Sequence, residues 1–241
     1  MSSTNNNRAV VYLIPSPLDE EFSVNQLPAN VAAAVSPLRH FAVEEIRHAR
    51  RFLRKLVPEV VIDECTFFVV NKRTSEAELQ PILKLLQSGV SVGMISEAGL
   101  PGVADPGANV AALAHRYNFQ VKPLIGPGSV FLALMASGFN GQSFTFHGYL
   151  PKERNERLRR IKELETTLNQ TGYTQLFMET PFRNQHLLED LLNTCNPQTL
   201  LCLAVSITTG NERIRTQTIE AWKKSPPDIS KKPAIFVLGK F

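Results

Sequence analysis

The sequence predicts an α/β protein built from two α/β domains. Short apolar runs rich in β-branched residues alternate with stretches whose apolar residues recur at helical spacing. Gly and Pro interrupt that alternation at 125–129 (Ile-Gly-Pro-Gly-Ser), which sets a domain junction there. The composition is 43% hydrophobic and 20% charged over 241 residues, close to the globular norm and sufficient for a real core.

Taken in order, residues 1–8 read as a short disordered leader. Residues 9–14 (Ala-Val-Val-Tyr-Leu-Ile) form a buried strand, stopped by Pro15 and Pro17. A helix fills 28–35, a strand 38–43 and a helix 44–56, with Ile46, Ala49, Phe52, Leu53 and Leu56 on one face. Carboxylates open that helix and cations close it, which suits the helix dipole. Strands at 66–70, 91–95 and 121–125 alternate with helices at 75–88, 106–117 and 128–137, an order that argues for mostly parallel pairing. The second half changes character. Strands are expected at 143–148, 174–179, 199–206, 212–217 and 233–238, with helices at 152–168 and 182–194. The domains are therefore drawn at 9–126 and 127–241.

Composition and motif spacing exclude several chemistries. Cys65, Cys195 and Cys202 form no C-x-x-C pair, and an odd count argues against a disulfide-stapled scaffold. His40, His48, His115, His147 and His186 show no metal-ligand spacing, so no metal is expected. H-E-x-x-H, G-x-S-x-G, G-x-G-x-x-G and the P-loop pattern are absent. The N-terminus lacks a signal-peptide apolar region, and no apolar run approaches the roughly 20 residues of a membrane helix, so a cytoplasmic protein is expected. The net charge of +4 tolerates polyanions without requiring one.

Three loops are placed to do chemistry. Residues 96–107 (Ser-Glu-Ala-Gly-Leu-Pro-Gly-Val-Ala-Asp-Pro-Gly) follow a strand and precede a helix, where ligands sit in open α/β sheets. Gly99 and Gly102 let backbone approach a ligand closely. Asp105 is placed to cap the next helix, with Pro106 at its first position. An ordinary capped connection explains the same residues. Residues 124–130 repeat the arrangement, with Gly128 and Ser129 as donors at a helix N-terminus or Ser129 as a plain cap. The loop at 15–18 (Pro-Ser-Pro-Leu) gives a stiff wall. Two basic runs stand out: Arg47, His48, Arg50, Arg51, Arg54 and Lys55, then Lys152, Arg154, Arg157, Arg159, Arg160 and Lys162. They are either solvated helix faces or phosphate contacts.

In order along the chain, these loops resemble the tetrapyrrole-methylase superfamily of S-adenosylmethionine-dependent methyltransferases, and most of all the ribosomal RNA small-subunit methyltransferase I family. The resemblance runs over residues 9–239. It is carried by Ser96-Glu97-Ala98-Gly99, Pro101 and Asp105-Pro106-Gly107 against S-D-A-G-x-P-x-x-x-D-P-G. Pro123-Leu124, Gly126-Pro127 and Ala136-Ser137-Gly138 follow, then Phe144-Thr145-Phe146 with Gly148-Tyr149-Leu150-Pro151. Phe177-Met178-Glu179-Thr180-Pro181-Phe182-Arg183 is similar to F-Y-E-[ST]-P-H-R. The chain departs from the family in four places, as a divergent branch would. P-T-P-I-G-N-L becomes Pro15-Ser16-Pro17-Leu18-Asp19-Glu20, E-D-T-R becomes Glu44-Glu45-Ile46-Arg47, Glu97 replaces Asp, and R-E-L-T-K becomes Ala204-Val205-Ser206-Ile207-Thr208.

The resemblance implies a cofactor cleft between two α/β domains, a homodimer, and methylation of a cytidine ribose 2′-hydroxyl in small-subunit ribosomal RNA. Carried over for cofactor contact are Leu18, Glu97, Gly99, Pro101, Val103, Gly128, Ser129, Met178, Ala204, Pro233 and Ala234. Arg47, Arg50, Arg51 and Arg183 are the expected RNA contacts. A ribose hydroxyl needs a base at neutral pH; Glu44, Glu45 and Glu179 are candidates between which the sequence does not choose. Two other readings remain at this point: a methyltransferase acting on a tetrapyrrole or other small molecule, and a member that keeps the fold and has lost transfer.

Overall fold

The structure is a computed structural model that describes residues 9–19 and 23–241. The expected leader at 1–8 and Glu20 of the first loop lie outside the described residues. The chain divides into two compact units between Pro127 and Gly128.

The first unit contains β1 (Val10–Ile14), α1 (Ala29–Val35), β2 (His40–Val43), α2 (Ile46–Leu56), β3 (Thr66–Val69), α3 (Gln80–Gln87), β4 (Val92–Ile95), α4 (Gly107–Arg116) and β5 (Gln120–Pro123). Its sheet has the order β3-β2-β4-β1-β5, and every pairing is parallel. Because side chains alternate along a strand, each strand feeds two cores. Ile14, Phe41, Val43 and Ile95 pack with Val31, Phe52 and Leu53 of α1 and α2. Their neighbours Val11, Ala42, Val92 and Met94 pack with Ile82, Leu86, Val110 and Leu113 of α3 and α4. All four residues of β4 are buried, as expected of a central strand covered on both faces.

The order also creates a switch point. The chain leaves β2 towards β3 on one side and leaves β4 towards β5 on the other. Opposite departures open a crevice at the carboxyl ends of β2 and β4, where open α/β sheets bind ligands.

The second unit contains α5 (Ser129–Ser137), β6 (Phe144–Tyr149), α6 (Arg154–Thr171), β7 (Thr174–Met178), α7 (Asn184–Thr194), β8 (Leu200–Val205), β9 (Arg213–Thr218), α8 (Ile219–Lys224) and β10 (Ala234–Gly239). The sheet order is β6-β7-β10-β8-β9. Only β6 and β7 pair in parallel, while the other three pairings are antiparallel. The parallel pairing expected from the alternation of the first half holds throughout the first sheet, while the second half, which changes character in sequence, is mostly antiparallel. The loop joining β8 to β9 is too short for a crossover, so the two strands form a hairpin.

Other departures are local. Helix α2 begins at Ile46 because the Glu45 side chain caps it, and this leaves Glu44 outside the helix. Helix α3 begins at Gln80, since Ser75 donates its N–H and hydroxyl to Glu78 and closes a turn first. Helix α6 runs on to Thr171 and ends at Gly172 in the left-handed conformation. The sequence reading missed α8. It is only six residues long, fixed by the Thr218 cap and by the buried Ile219 and Trp222, whose indole donates to the Leu201 carbonyl at 2.9 Å. Among the described residues no helix is long and apolar enough to cross a membrane.

The second basic run is largely an internal scaffold. Arg157 is 8% exposed and reaches Asp190 Oδ2 through Nε and Nη2 at 2.9 and 2.7 Å. Its Nη1 donates to the Lys152 carbonyl at 2.8 Å, and Arg154 adds a bond to Asp190 Oδ1 at 3.1 Å. Arg160 bonds Glu163 and His147. These partners hold α6 against α7 and leave the run few cations for a polyanion. Replacing Asp190 by Ala strands the Arg157 charge in the core and is expected to cost about 3–5 kcal/mol, read as a lower denaturation midpoint in urea.

Candidate active site

Every strand of the first sheet is parallel, so the loops after β1, β2, β4 and β5 all emerge at one edge. Two of them are sewn together. Ser16 and Gly99 exchange both backbone hydrogen bonds at 2.9 Å, an isolated antiparallel bridge between the 15–19 and 96–107 loops. The Ser16 hydroxyl donates to the Ser96 carbonyl at 2.6 Å, and the Ser96 hydroxyl donates to the Gly99 carbonyl at 2.8 Å. Both serines are at most 1% exposed. Gly99 has φ +74°, and a Cβ there would sit 3.2 Å from Leu18 Cδ2 and 3.4 Å from the Pro127 carbonyl oxygen. Gly126 admits no side chain at all, because its Cβ would lie 2.3 Å from that of Pro15. The backbone is bare where the loops after β1, β4 and β5 converge.

A groove of about 650 Å³ opens beside this knot. Its walls are Pro17, Leu18 and Asp19 from the first loop, Glu97 and Ala98 from the second, and Glu45, Arg47, His48 and Arg51 from the cap and first half of α2. Arg47 and Arg51 also line an adjoining hollow with Arg50 and Arg54. Pro101 is buried behind the loop, whereas Val103 is 39% exposed.

The three candidate carboxylates differ sharply. Glu45 is spent on the helix: it accepts the N–H groups of Arg47 and His48 at 2.7 and 2.6 Å, and these bonds lower its pKa. Glu179 is buried and accepts the Thr180 N–H at 2.6 Å and Arg183 Nη2 at 2.5 Å. Glu44 stands at the switch point, just past β2. Burial pushes its pKa up to about 7, helped by the nearby carboxylates of Asp105 and Glu97 and opposed by the Glu97 N–H and Lys72. Asp105 is not a simple helix cap. Its Oδ1 accepts from Gly102 N–H as well as Gly107 N–H, α4 starts at Gly107, and Oδ2 is buried with no hydrogen-bond partner. Burial raises the Asp105 pKa and lowers that of His48. The sequence reading missed Lys72 as part of this cluster; its position just past β3, at the same sheet edge, was the available signal.

Other expected site residues fall elsewhere. Arg50 is paired with Asp63, and Arg183 with Glu179. In the second unit, Ser129 is the first residue of α5 and Gly128 its cap, with no side-chain capping bond from either. Met178 and Ala204 both pair with Ile235 and share one face of the sheet. Ala234 points to the opposite face, into the core with Phe177 and Phe236. Pro233 is exposed. Among the described residues no group of three or more His, Cys, Asp or Glu is arranged to hold a metal ion.

Over 210 residues the chain is 30% identical to the ribosomal RNA small subunit methyltransferase I of Vibrio cholerae serotype O1, spanning 87% of this chain and 69% of that protein. The chain belongs to the ribosomal RNA small-subunit methyltransferase I family. The protein of that name from Escherichia coli O157:H7 is 24% identical over 239 residues, 98% of this chain and 79% of the relative. No family model matches the chain. Among solved structures, the methyltransferase CobJ superposes with TM-score 0.63 at 17% identity, covering 96% of this chain and 93% of that one. Diphthine synthase gives 0.66 at 14% identity over 96% and 89%. The uroporphyrin-III C-methyl transferase of Thermus thermophilus complexed with S-adenyl homocysteine gives 0.53 at 18% over 96% and 97%. The fold is thus the tetrapyrrole-methylase fold. As a member of the family, the protein is a methyltransferase that uses S-adenosylmethionine.

The site's residues suit that cofactor. S-adenosylmethionine is a compact cation-bearing ligand, and the groove volume lies within the range of small-molecule sites. Of the expected contacts Leu18 and Glu97 line the groove, and the bare backbone at Gly99 lies in the loop that carries Glu97.

The Glu44 pKa has a consequence for stability. Its folded value, about 7, lies above the ordinary 4.5, so between these pH values the folded state holds more protons than the unfolded one. Stability from this group is therefore lost as pH rises through that window. Glu44→Gln is expected to match the parent protein near pH 4 and to melt at a higher temperature above pH 7, checked by thermal unfolding across pH.

Proposed function

We propose that this protein transfers the methyl group of S-adenosylmethionine to the 2′-hydroxyl of a cytidine ribose in small-subunit ribosomal RNA. The carrying observation is the 30% identity, over 87% of the chain, to the ribosomal RNA small subunit methyltransferase I of Vibrio cholerae. The motif loops on the carboxyl edge of the first sheet give added support. The cofactor contacts in this reading are Leu18, Glu97, Gly99, Pro101 and Val103 of the first unit, and Gly128, Ser129, Met178, Ala204, Pro233 and the Ala234 backbone of the second.

The cofactor supplies a methyl group already activated on a sulfonium. The chain's tasks are to hold the acceptor oxygen in line, keep water out and receive a proton. Glu44 takes the proton in this reading. Glu45 and Glu179 are both committed to structural hydrogen bonds, while Glu44 stands at the crevice of the switch point. As the oxygen–carbon bond forms, the hydroxyl proton passes to the Glu44 carboxylate and from there to solvent. An acid titrating near neutrality suits a base that works near pH 7. In the parent enzyme kcat is expected to rise with a midpoint near pH 7. Glu44→Gln is expected to lower kcat about 100-fold or more while calorimetry still records S-adenosylmethionine binding.

Arg47 and Arg51 offer phosphate contacts from α2, whereas Arg50 and Arg183, the other expected contacts, are paired with Asp63 and Glu179 and would have to leave those carboxylates to reach a phosphate. Phosphate neutralisation releases counterions, so binding weakens linearly in log salt. Replacing Arg47 and Arg51 by Ala is expected to reduce the slope of log affinity against log salt by about 1 per lost contact, measured by filter binding of ribosomal RNA fragments. We also assign the protein to the cytoplasm and to a homodimer. Support for the dimer comes from Phe131 and Met135, which stand one turn apart on α5 and are 48% and 78% exposed.

A further inference from the structure

The turn after β7 displays an aromatic ring for which the fold has no use. Phe182 is 77% exposed, in the 3-10 turn Pro181–Arg183. A ring left in water adds nothing to folding, so a polar side chain would serve the turn equally well. The mount beneath it is rigid. Arg183 N–H donates to the Thr180 carbonyl at 2.9 Å, and Lys231 N–H donates to the Pro181 carbonyl at 3.0 Å. The Asn184 amide donates to the Lys232 carbonyl, and the buried Glu179 holds both Thr180 N–H and the Arg183 guanidinium. Pro181 fixes its own φ. The ring is thus presented in place before anything binds, so little ordering cost falls on association.

The segment bonded to the turn carries two exposed cations, Lys231 and Lys232. The Lys232 ammonium donates to the Asp228 carbonyl at 2.8 Å, and Arg183, next to the ring in sequence, is paired with Glu179. Glu179, the anion nearest in sequence, is buried and already engaged by Arg183. Asp228 is occupied by the Ser230 N–H. An exposed π-face with two lysines on the segment bonded to its turn matches an unpaired nucleotide, which offers a base to stack and phosphates next to it. An apolar protein partner would need further apolar side chains around the ring, whereas Thr180, Arg183, Lys231 and Lys232 are polar or charged.

We infer that Phe182 is a stacking platform for an unpaired base of the RNA substrate, with Lys231 and Lys232 meeting the adjacent phosphates. The inference rests on the RNA reading above and adds a contact outside the arginines of α2. It also makes the substrate single-stranded at this point, since a base in a duplex has no free face.

The test compares the full chain with its Phe182→Ala, Phe182→Leu and Phe182→Trp variants. The probes are a labelled RNA single strand of about twelve nucleotides and the same strand in a duplex, both at low salt. Ala and Leu are each expected to weaken single-strand binding about tenfold, with Trp restoring it and duplex binding little changed. With ribosomal RNA as substrate, the KM for RNA should rise while S-adenosylmethionine affinity by calorimetry holds. A Leu variant that binds like the parent would overturn stacking, because Leu keeps the apolar bulk and lacks the π-face. Parent binding with no effect of any variant would remove the ring from the interface and leave the RNA reading intact. A parent protein that binds neither probe would end the RNA reading, and this inference with it.

Discussion

Parallel pairing is the constraint from which the candidate site follows. With every strand of the first sheet pointing one way, each loop that leaves a carboxyl end emerges at the same edge. Residues distant in sequence then meet without any long-range motif to announce it. Ser16 and Gly99 lie 83 positions apart, yet β1 and β4 are neighbours and their exit loops touch. The bridge works only because Gly99 is bare and the two serine hydroxyls close on backbone carbonyls, leaving no buried donor unmet. Breaking this knot would separate the walls of the groove.

Charge at this edge is arranged by the same geometry. β2 ends at Val43, and the next residue falls in the crevice before the helix begins. Glu45 caps α2 and so holds its carboxylate at the surface, whereas Glu44 is drawn inward beside Asp105 and Glu97. Adjacent identical side chains thus acquire opposite pKa shifts, one set by backbone N–H donors and the other by burial and like charge. A carboxyl held near neutrality costs stability at higher pH, a common trade at reactive sites.

The second unit reaches its shape differently. A hairpin sets β8 and β9 antiparallel, and β10 closes the sheet between β7 and β8. Its helices are tied by Asp190, which gathers Arg154 and Arg157. The two basic runs look alike in sequence but serve different ends: the first faces the groove, and the second is consumed by structure. The turn after β7 shows the converse, since the Arg183 charge is spent on Glu179 while the ring next to it is left bare.

Much of the fold was legible in the residues. Apolar periodicity located β1 to β10 and α1 to α7, because burying a strand or a helix face imposes period two or about 3.6 wherever it occurs. Gly and Pro at 96–107 and 125–129 read as loops, and both segments lie outside the strands, since tight turns require Gly and Pro locally. The six-residue α8 escaped, being too short to show a period, and strand direction in the second sheet escaped because pairing is a relation between distant segments. The carboxylates were equally opaque: Glu44, Glu45 and Glu179 are chemically identical in sequence. Only tertiary structure assigns one to a cap, one to an arginine and one to a crevice, because pKa and availability depend on which donors, charges and solvent surround a group in space.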